Sequence, residues 1–339
     1  MFVTNTTPYP HQLFFATDVA GTPHAVCILK ASCPFDAPAW SRHHAEITYT
    51  DVPTDAARPS SIRLANDLAP YKPVADILLA NAEAVSPKPK PAWGVSVRVG
   101  SHTTRVAVTG PRAWRRRVTG WVLDEPAHVS KVSVCFENAY GGTWSDGRCD
   151  DRNPVGTGFV PKGVDAQESI RAPQVLFETT LPESPFEPVR SAGLTPVAPA
   201  WTPRRQLAGT FDDSWRQTRW PRLPLDFDFA FYNVAQQHMQ TSGFLKGDEA
   251  IELSGLSIAP INFSLPGCLK PAVMMRPRSD RGFLALMNLD TLVLHMGLRM
   301  AQCTFRACFI PPDGAEQAYI VANVAQEILH AAKPAGTPL

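Results

Sequence analysis

The sequence predicts a mainly β protein: two β-rich lobes with sandwich- or barrel-like sheets, long proline-rich loops and few short helices. Three observations predict it. Short runs of apolar residues alternate with period two along most of the chain. Turn residues bound these runs at strand length. Thirty-three prolines in 339 residues are roughly twice the usual share. Proline lacks the N–H donor and clashes with the preceding helical turn, so it works against long helices and central strands.

The elements follow in order. "HAVCILK" places Val26 and Ile28 on one side and Cys27 and Leu29 on the other, so both faces of this strand are apolar. "LANDLAPYKPVADILLANAEAV" has a helical composition, but Pro70 and Pro73 oppose one continuous helix. "VSPKPKPAW" (85–93) reads as a short basic, extended connector. "GVSVRVG" points Val95, Val97 and Val99 inward, with Ser96 and Arg98 outward. "RVAVT" follows with Val106 and Val108, so the pair reads as a β-hairpin. "KVSVCFE" repeats the pattern with Val132, Val134 and Phe136.

"LPESPFEPVRSAGLTPVAPAWTPRR" carries six prolines and is the best boundary. The expected organisation is an N-terminal lobe over 1–180, a linker over 181–205 and a C-terminal lobe over 206–335. In the second lobe "AIELSGL", "GFLAL", "TLVLHM" and "QCTFRACF" are strand-like. Near the end, Val321, Val324, Ala325, Ile328 and Leu329 share one helical stripe. The upstream part of that segment, "QAYIVANV", fits a last strand equally well.

Composition narrows the function. The apolar fraction is 44%, enough for a substantial core, and the net charge is +1. Such a balance gives no long-range field to attract nucleic acid or an anionic membrane. No apolar run approaches the ~18 residues needed to span a bilayer, and the start "MFVTNTTPYPHQLFF" has no charged–apolar–small leader. The expectation is a cytoplasmic protein without stable membrane insertion. Seven scattered cysteines fit reduced packing residues better than a disulfide framework.

The densest stretch is "ENAYGGTWSDGRCDDRNPVGTGFV" (137–160). Its acids, Asp146, Asp150 and Asp151 beside Cys149, lack the alternating ligands and closing Glu of an EF-hand loop. Gly156–Thr157–Gly158 lacks the third glycine of a dinucleotide fingerprint. Cys303 and Cys308 are five apart, and His43 and His44 adjacent, so in strands each pair splits between faces. No cofactor or metal is expected. No G-x-S-x-G elbow occurs. Asp290 and His295 share a segment without a marked nucleophile; a hydrolase built on them is one alternative. What remains is a strand exit at Gly141–Gly142 and an Asn153–Pro154 turn closing at Gly156. "PRAWRRRVTGW" offers Arg112, Trp114, Arg115 and Arg116 as a candidate partner surface, since arginine beside tryptophan is typical of interface anchors. Eight tryptophans leave a ligand- or carbohydrate-binding β module as a further alternative.

"AYGGTW…DDRNPVGTGF" resembles the signature of a bacterial domain-of-unknown-function family found in type VI secretion clusters. "NTTPYP", "VCILKASCPF", "DLAPYKPVADILLANAEA", "VRVGSHTTRVAVTGPRAW", "LAGTFDDSWRQTRWPRLPLDFDFAFYNVAQQHMQ", "GFLKGDEAIELSGL" and "DTLVLHMGLRMAQCTFRACF" resemble family blocks in the same order. The family pattern Tyr–Asp–x–x–Trp, Leu–Pro, Asp–Phe–Asp is met by Asp212, Trp215, Leu223, Pro224, Asp226, Phe227 and Asp228, with Phe211 replacing the tyrosine. Pro111 and Phe305 are further departures. The resemblance marks Tyr140, Gly141, Gly142, Asn153, Pro154, Gly156, Gly158 and Phe159 as the signature loop and adds Trp215 to the partner surface. It implies a non-enzymatic effector chaperone or adaptor. Its partners would be a toxic effector, held by an N-terminal or transmembrane segment, and the valine-glycine repeat spike with its PAAR-type tip.

Overall fold

The computed structural model describes residues 2–57, 59–165, 169–177, 183–275, 283–313 and 317–323. Two five-stranded sheets dominate. The first runs in the order His11–Thr17, Pro23–Pro34, Met300–Phe309, Asn288–His295, Asp76–Ala80. Its strands are antiparallel except for the last pair, which is parallel. The second runs Val175–Leu176, His102–Thr109, Ala92–Val99, Ala250–Ser254, Ile261–Ser264, antiparallel throughout. Among the described residues the sheets stay open rather than closing into a barrel, and Asp213–Thr218 is the one α-helix.

The period-two readings explain the layers. Cys27, Leu29, Ala31 and Cys33 pack into the main core with Val95, Val97, Val99, Val106 and Val108 of the second sheet. Val26 and Ile28, on the opposite face, pack with Ile47, Phe14 and Leu68. The strand with two apolar faces is therefore covered twice. Cys303 joins the main core and Cys308 the other face, as their odd spacing requires. All seven cysteines are free. The expected hairpin forms between Ala92–Val99 and His102–Thr109, with Val95 opposite Val106. Gly100, at φ 57°, turns it.

Three expectations are corrected. The helical composition of 64–85 yields no helix; Asp76–Ala80 is a buried strand, completely apolar after its first residue. Parallel pairing with Asn288–His295 decides it, because a doubly covered strand reads as a continuous apolar run. The "connector" 85–93 belongs mostly to strands. Glu83–Lys90 pairs with Val129–Ser133 at the end of a two-stranded ladder, where prolines are tolerated. Finally, each five-stranded sheet contains strands from both sides of 181–205, and one core joins them. Residues 191–197 are buried throughout. The sheets therefore do not divide into lobes at that stretch. Gln317–Val321 is a strand, and the rest of the C-terminal stripe lies outside the described residues.

Between the first sheet and the segment covering it lies a buried ionic layer. Lys30 pairs with Asp67 at 2.8 Å, Lys72 with Asp76 at 2.8 Å and Arg306 with Asp290 at 2.6 Å. Arg306 also donates to the carbonyls of Asp67 and Ala69. Burying charge is costly unless each ion is paired and hydrogen-bonded. Here Thr48, Thr291 and Thr304 and the backbone of 234–235 complete the shells. The block "DLAPYKPVAD" thus clamps its own segment to the sheet.

Candidate functional site

The signature loop folds around Asn153. Two turns succeed each other: the N–H of Asn153 reaches the carbonyl of Asp150 at 2.9 Å, and that of Gly156 reaches Asn153 at 3.2 Å. The second is the Asn–Pro turn the sequence predicts. The two-residue strands Tyr140–Gly141 and Thr157–Gly158 then pair in parallel. Asn153 is fully buried, and its Nδ2 donates to the carbonyls of Phe136, at 2.7 Å, and Tyr140, at 3.1 Å.

The glycines are required by contact. A Cβ on Gly141, whose φ is 148°, would lie 2.2 Å from the carbonyl oxygen of Asn153. One on Gly156 would lie 2.4 Å from Asn153 Nδ2. Gly142 and Gly158 also hold positive φ, at 127° and 102°. Phe159 donates its N–H to the carbonyl of Gly141, and the carbonyl of Pro154 accepts from Thr143. The loop is a closely packed knot at its glycines.

Its acids are structural too. Asp150 is buried and held by Arg152 at 2.5 Å, and Arg152 lies over the Tyr140 ring. Burial, with Asp150 close by, pushes the Tyr140 phenol up to about 12. Asp151 is exposed and pairs with Arg205 at 3.0 Å, while its carbonyl accepts from Thr202. Phe136 stacks edge-on against Trp201 at 5.1 Å. The knot therefore fastens the start of the signature to residues 191–205.

The arginine–tryptophan surface is corrected in part. Trp114 is only 6% exposed and centres a satellite cluster with Val160, Ile170 and Ala172. Its partners on both sides of the ladder, Leu123 and Ile170, are apolar and pack with it on the covered face. Arg115 and Arg116 are exposed but paired with Asp124 and Asp165. Arg112 is half-buried, and burial lowers its pKa.

Trp215 lies in a different cluster, on the short helix. Asp212 caps that helix by accepting from the N–H of Trp215 at 2.7 Å. Trp215 meets Phe211 at 4.7 Å and Trp220 at 5.8 Å, both edge-on. Phe211 is 53% and Trp220 70% exposed. Asp226 ties the loop back by accepting from the N–H and hydroxyl of Thr210. Asp228 caps the following 3-10 turn, and Phe227 packs on Phe229, Phe231 and Tyr232. The "DDSW…LPLDFDF" block thus builds a supported aromatic projection. Sequence reasoning picked out Trp215 and missed Trp220, whose exposure follows from the turn after the helix.

Asp290 and His295 do not meet. A bulge after Leu289 sends Asp290 and Thr291 into the ionic layer. His295 instead contacts Asn81 and accepts from the N–H of Leu298. Among the described residues no group of three or more His, Cys, Asp or Glu is placed to hold a metal. No helix among them is long and apolar enough to cross a membrane.

A cavity of about 480 Å³ lies beside the knot. Arg152, Arg190 and Arg204 line it, with Asn233, Gln237, His238 and apolar groups between them. Sequence reasoning missed it, because its three arginines are far apart in sequence and belong to no common motif.

These features define a class: an open, mainly β protein whose two interleaved sheets carry a glycine–asparagine knot and an exposed aromatic projection. The chain belongs to the family described as "Uncharacterized protein conserved in bacteria (DUF2169)", whose model matches residues 20–306. No curated protein and no solved structure matches it.

Proposed function

We propose that this protein is a non-catalytic, cytoplasmic adaptor that holds a toxic type VI secretion effector and helps load it onto the valine-glycine repeat spike with its PAAR-type tip. The observation that carries the reading is the aromatic projection of Phe211, Trp215 and Trp220. Large exposed aromatic groups on a braced loop supply interface area at small entropic cost, and they are the usual anchors of protein–protein contacts. The ordered family blocks across the chain supply the secretion context.

The same rings also bear on the carbohydrate alternative. Sugars stack flat on ring faces, whereas Phe211–Trp215 and Trp215–Trp220 lie at 78° and 89° to one another. Such rings present edges and clefts, which suit apolar side chains of a protein partner. The test is genetic and biochemical. Deleting the gene should lower the level and delivery of the cognate effector, and the tagged protein should co-purify with that effector and the spike. Unchanged effector level and delivery would end the proposal.

A further inference from the structure

The cavity beside the knot has an unusual charge arrangement. Three guanidinium groups line it, and among the described residues no carboxylate does. Arg152 is already neutralised by Asp150. Arg190 and Arg204 have no ion-pair partner among the described residues. Arg204 is buried; its Nε donates to the carbonyl of Phe231 and its Nη1 to that of Val197, leaving Nη2 uncommitted. Arg190 is exposed at the rim, held flat over the Phe177 ring at 4.2 Å. Phe177 in turn abuts His238 at 4.6 Å. Neither cation makes a direct ion pair among the described residues, and the carboxylates of Asp51 and Asp76 act on Arg204 only from a distance.

The remaining lining says what accompanies the anion. Asn233 Oδ1 is a buried acceptor that lacks a hydrogen-bond donor. Burial holds His238 neutral, its pKa lowered to about 4. Buried acceptors without donors are costly, and such atoms mark where a missing partner belongs. The ligand should therefore bring N–H donors as well as negative charge. Those donors should be neutral, because the described lining offers no carboxylate to an ammonium. Val197, Leu207 and Ala235 add apolar wall, and the volume suits a few residues of peptide.

We propose that this cavity binds a carboxylate-bearing peptide segment. The carboxylate engages Arg190 and Arg204, an amide N–H meets the Asn233 oxygen, and a small apolar side chain fills the wall. Guanidinium groups bind carboxylates through paired, charge-assisted hydrogen bonds. The site is separate from the aromatic projection and stands whether or not the adaptor reading does.

The minimal probe is N-acetyl-leucine, which has one carboxylate, one neutral amide N–H and one apolar side chain. Titration of the full chain by NMR or calorimetry should show saturable binding at millimolar concentration or below. N-acetyl-leucine methylamide, lacking the carboxylate, should not bind. Arg190→Gln, at an exposed position, should weaken the acid at least about tenfold while leaving the circular dichroism and melting curve unchanged. N-acetyl-glutamate methylamide separates the sources: tighter binding identifies an acidic side chain, weaker binding a chain-end carboxylate. No saturable binding of either acid, equal binding of the methylamide, an unchanged Arg190→Gln titration, or displacement by inorganic phosphate at lower concentration would each overturn the proposal.

Discussion

The side-chain amide of Asn153 donates to the carbonyl of Phe136 across 2.7 Å, joining residues seventeen positions apart inside the core. This bond closes the signature loop. Asn153→Ala removes the donor shared by two carbonyls; Phe136 keeps the N–H of Ala139, while the Tyr140 carbonyl loses its partner. The expected loss is about 2–4 kcal/mol of unfolding free energy, read by denaturant titration. Gly141→Ala should cost at least as much, since its Cβ would enter the Asn153 carbonyl. Gly243→Ala, where a Cβ meets nothing within 4 Å, should change stability by less than about 0.5 kcal/mol.

Asp150 and Asp151 are adjacent but differ in environment. Asp150→Ala leaves Arg152 without its buried partner and should destabilise by about 2–3 kcal/mol. Asp151→Ala breaks a solvent-exposed pair with Arg205, and the effect should stay below about 1 kcal/mol. Similar melting shifts for the two variants would contradict the buried role of Asp150.

The aspartate of the ionic layer gives a sharper contrast with catalysis. Asp290→Ala leaves the Arg306 charge buried and unpaired, so a loss of about 3–5 kcal/mol is expected. His295→Ala, outside that layer, should cost clearly less. A stable, folded Asp290→Ala protein would remove the structural role assigned here.

His238 links stability to pH. Burial lowers its pKa to about 4 in the folded chain, against about 6.5 when unfolded. Between these values the unfolded state binds more protons, so stability is full above about pH 6.5 and falls as pH drops toward 4. The contribution is on the order of 3 kcal/mol. His11, His44 and His295 are also lowered by burial and add in the same direction. His238→Phe should flatten part of the pH 4–6.5 slope in denaturant titrations.

Much of the strand content was legible because burial on one or both faces imprints a period of two. Val95–Val97–Val99 and the doubly apolar Val26–Leu29 run are examples. What pairs with what was not legible. Nothing local to "ADILLA" announces a parallel partner at 288–295, and the prolines of 85–91 conceal an edge strand. The turn chemistry of Asn153–Gly156 was readable, since proline and glycine fix local backbone. The reason for Gly141 was not, because its neighbour Asn153 arrives from twelve residues away. Trp114 looked like an anchor because arginines flank it; ladder geometry turns it inward. Arg152, Arg190 and Arg204 form one cavity only after the chain has folded.

The most direct test of the adaptor reading joins the aromatic projection to a partner. The tagged chain would be co-expressed with the type VI effector and spike protein of the same bacterium. Retained proteins would be identified for the wild type and for Phe211→Ser/Trp220→Ser. We predict that the wild type retains both and the double variant loses the effector at an unchanged melting temperature. Failure of the wild type to retain either protein, or equal retention by the variant, would contradict the account.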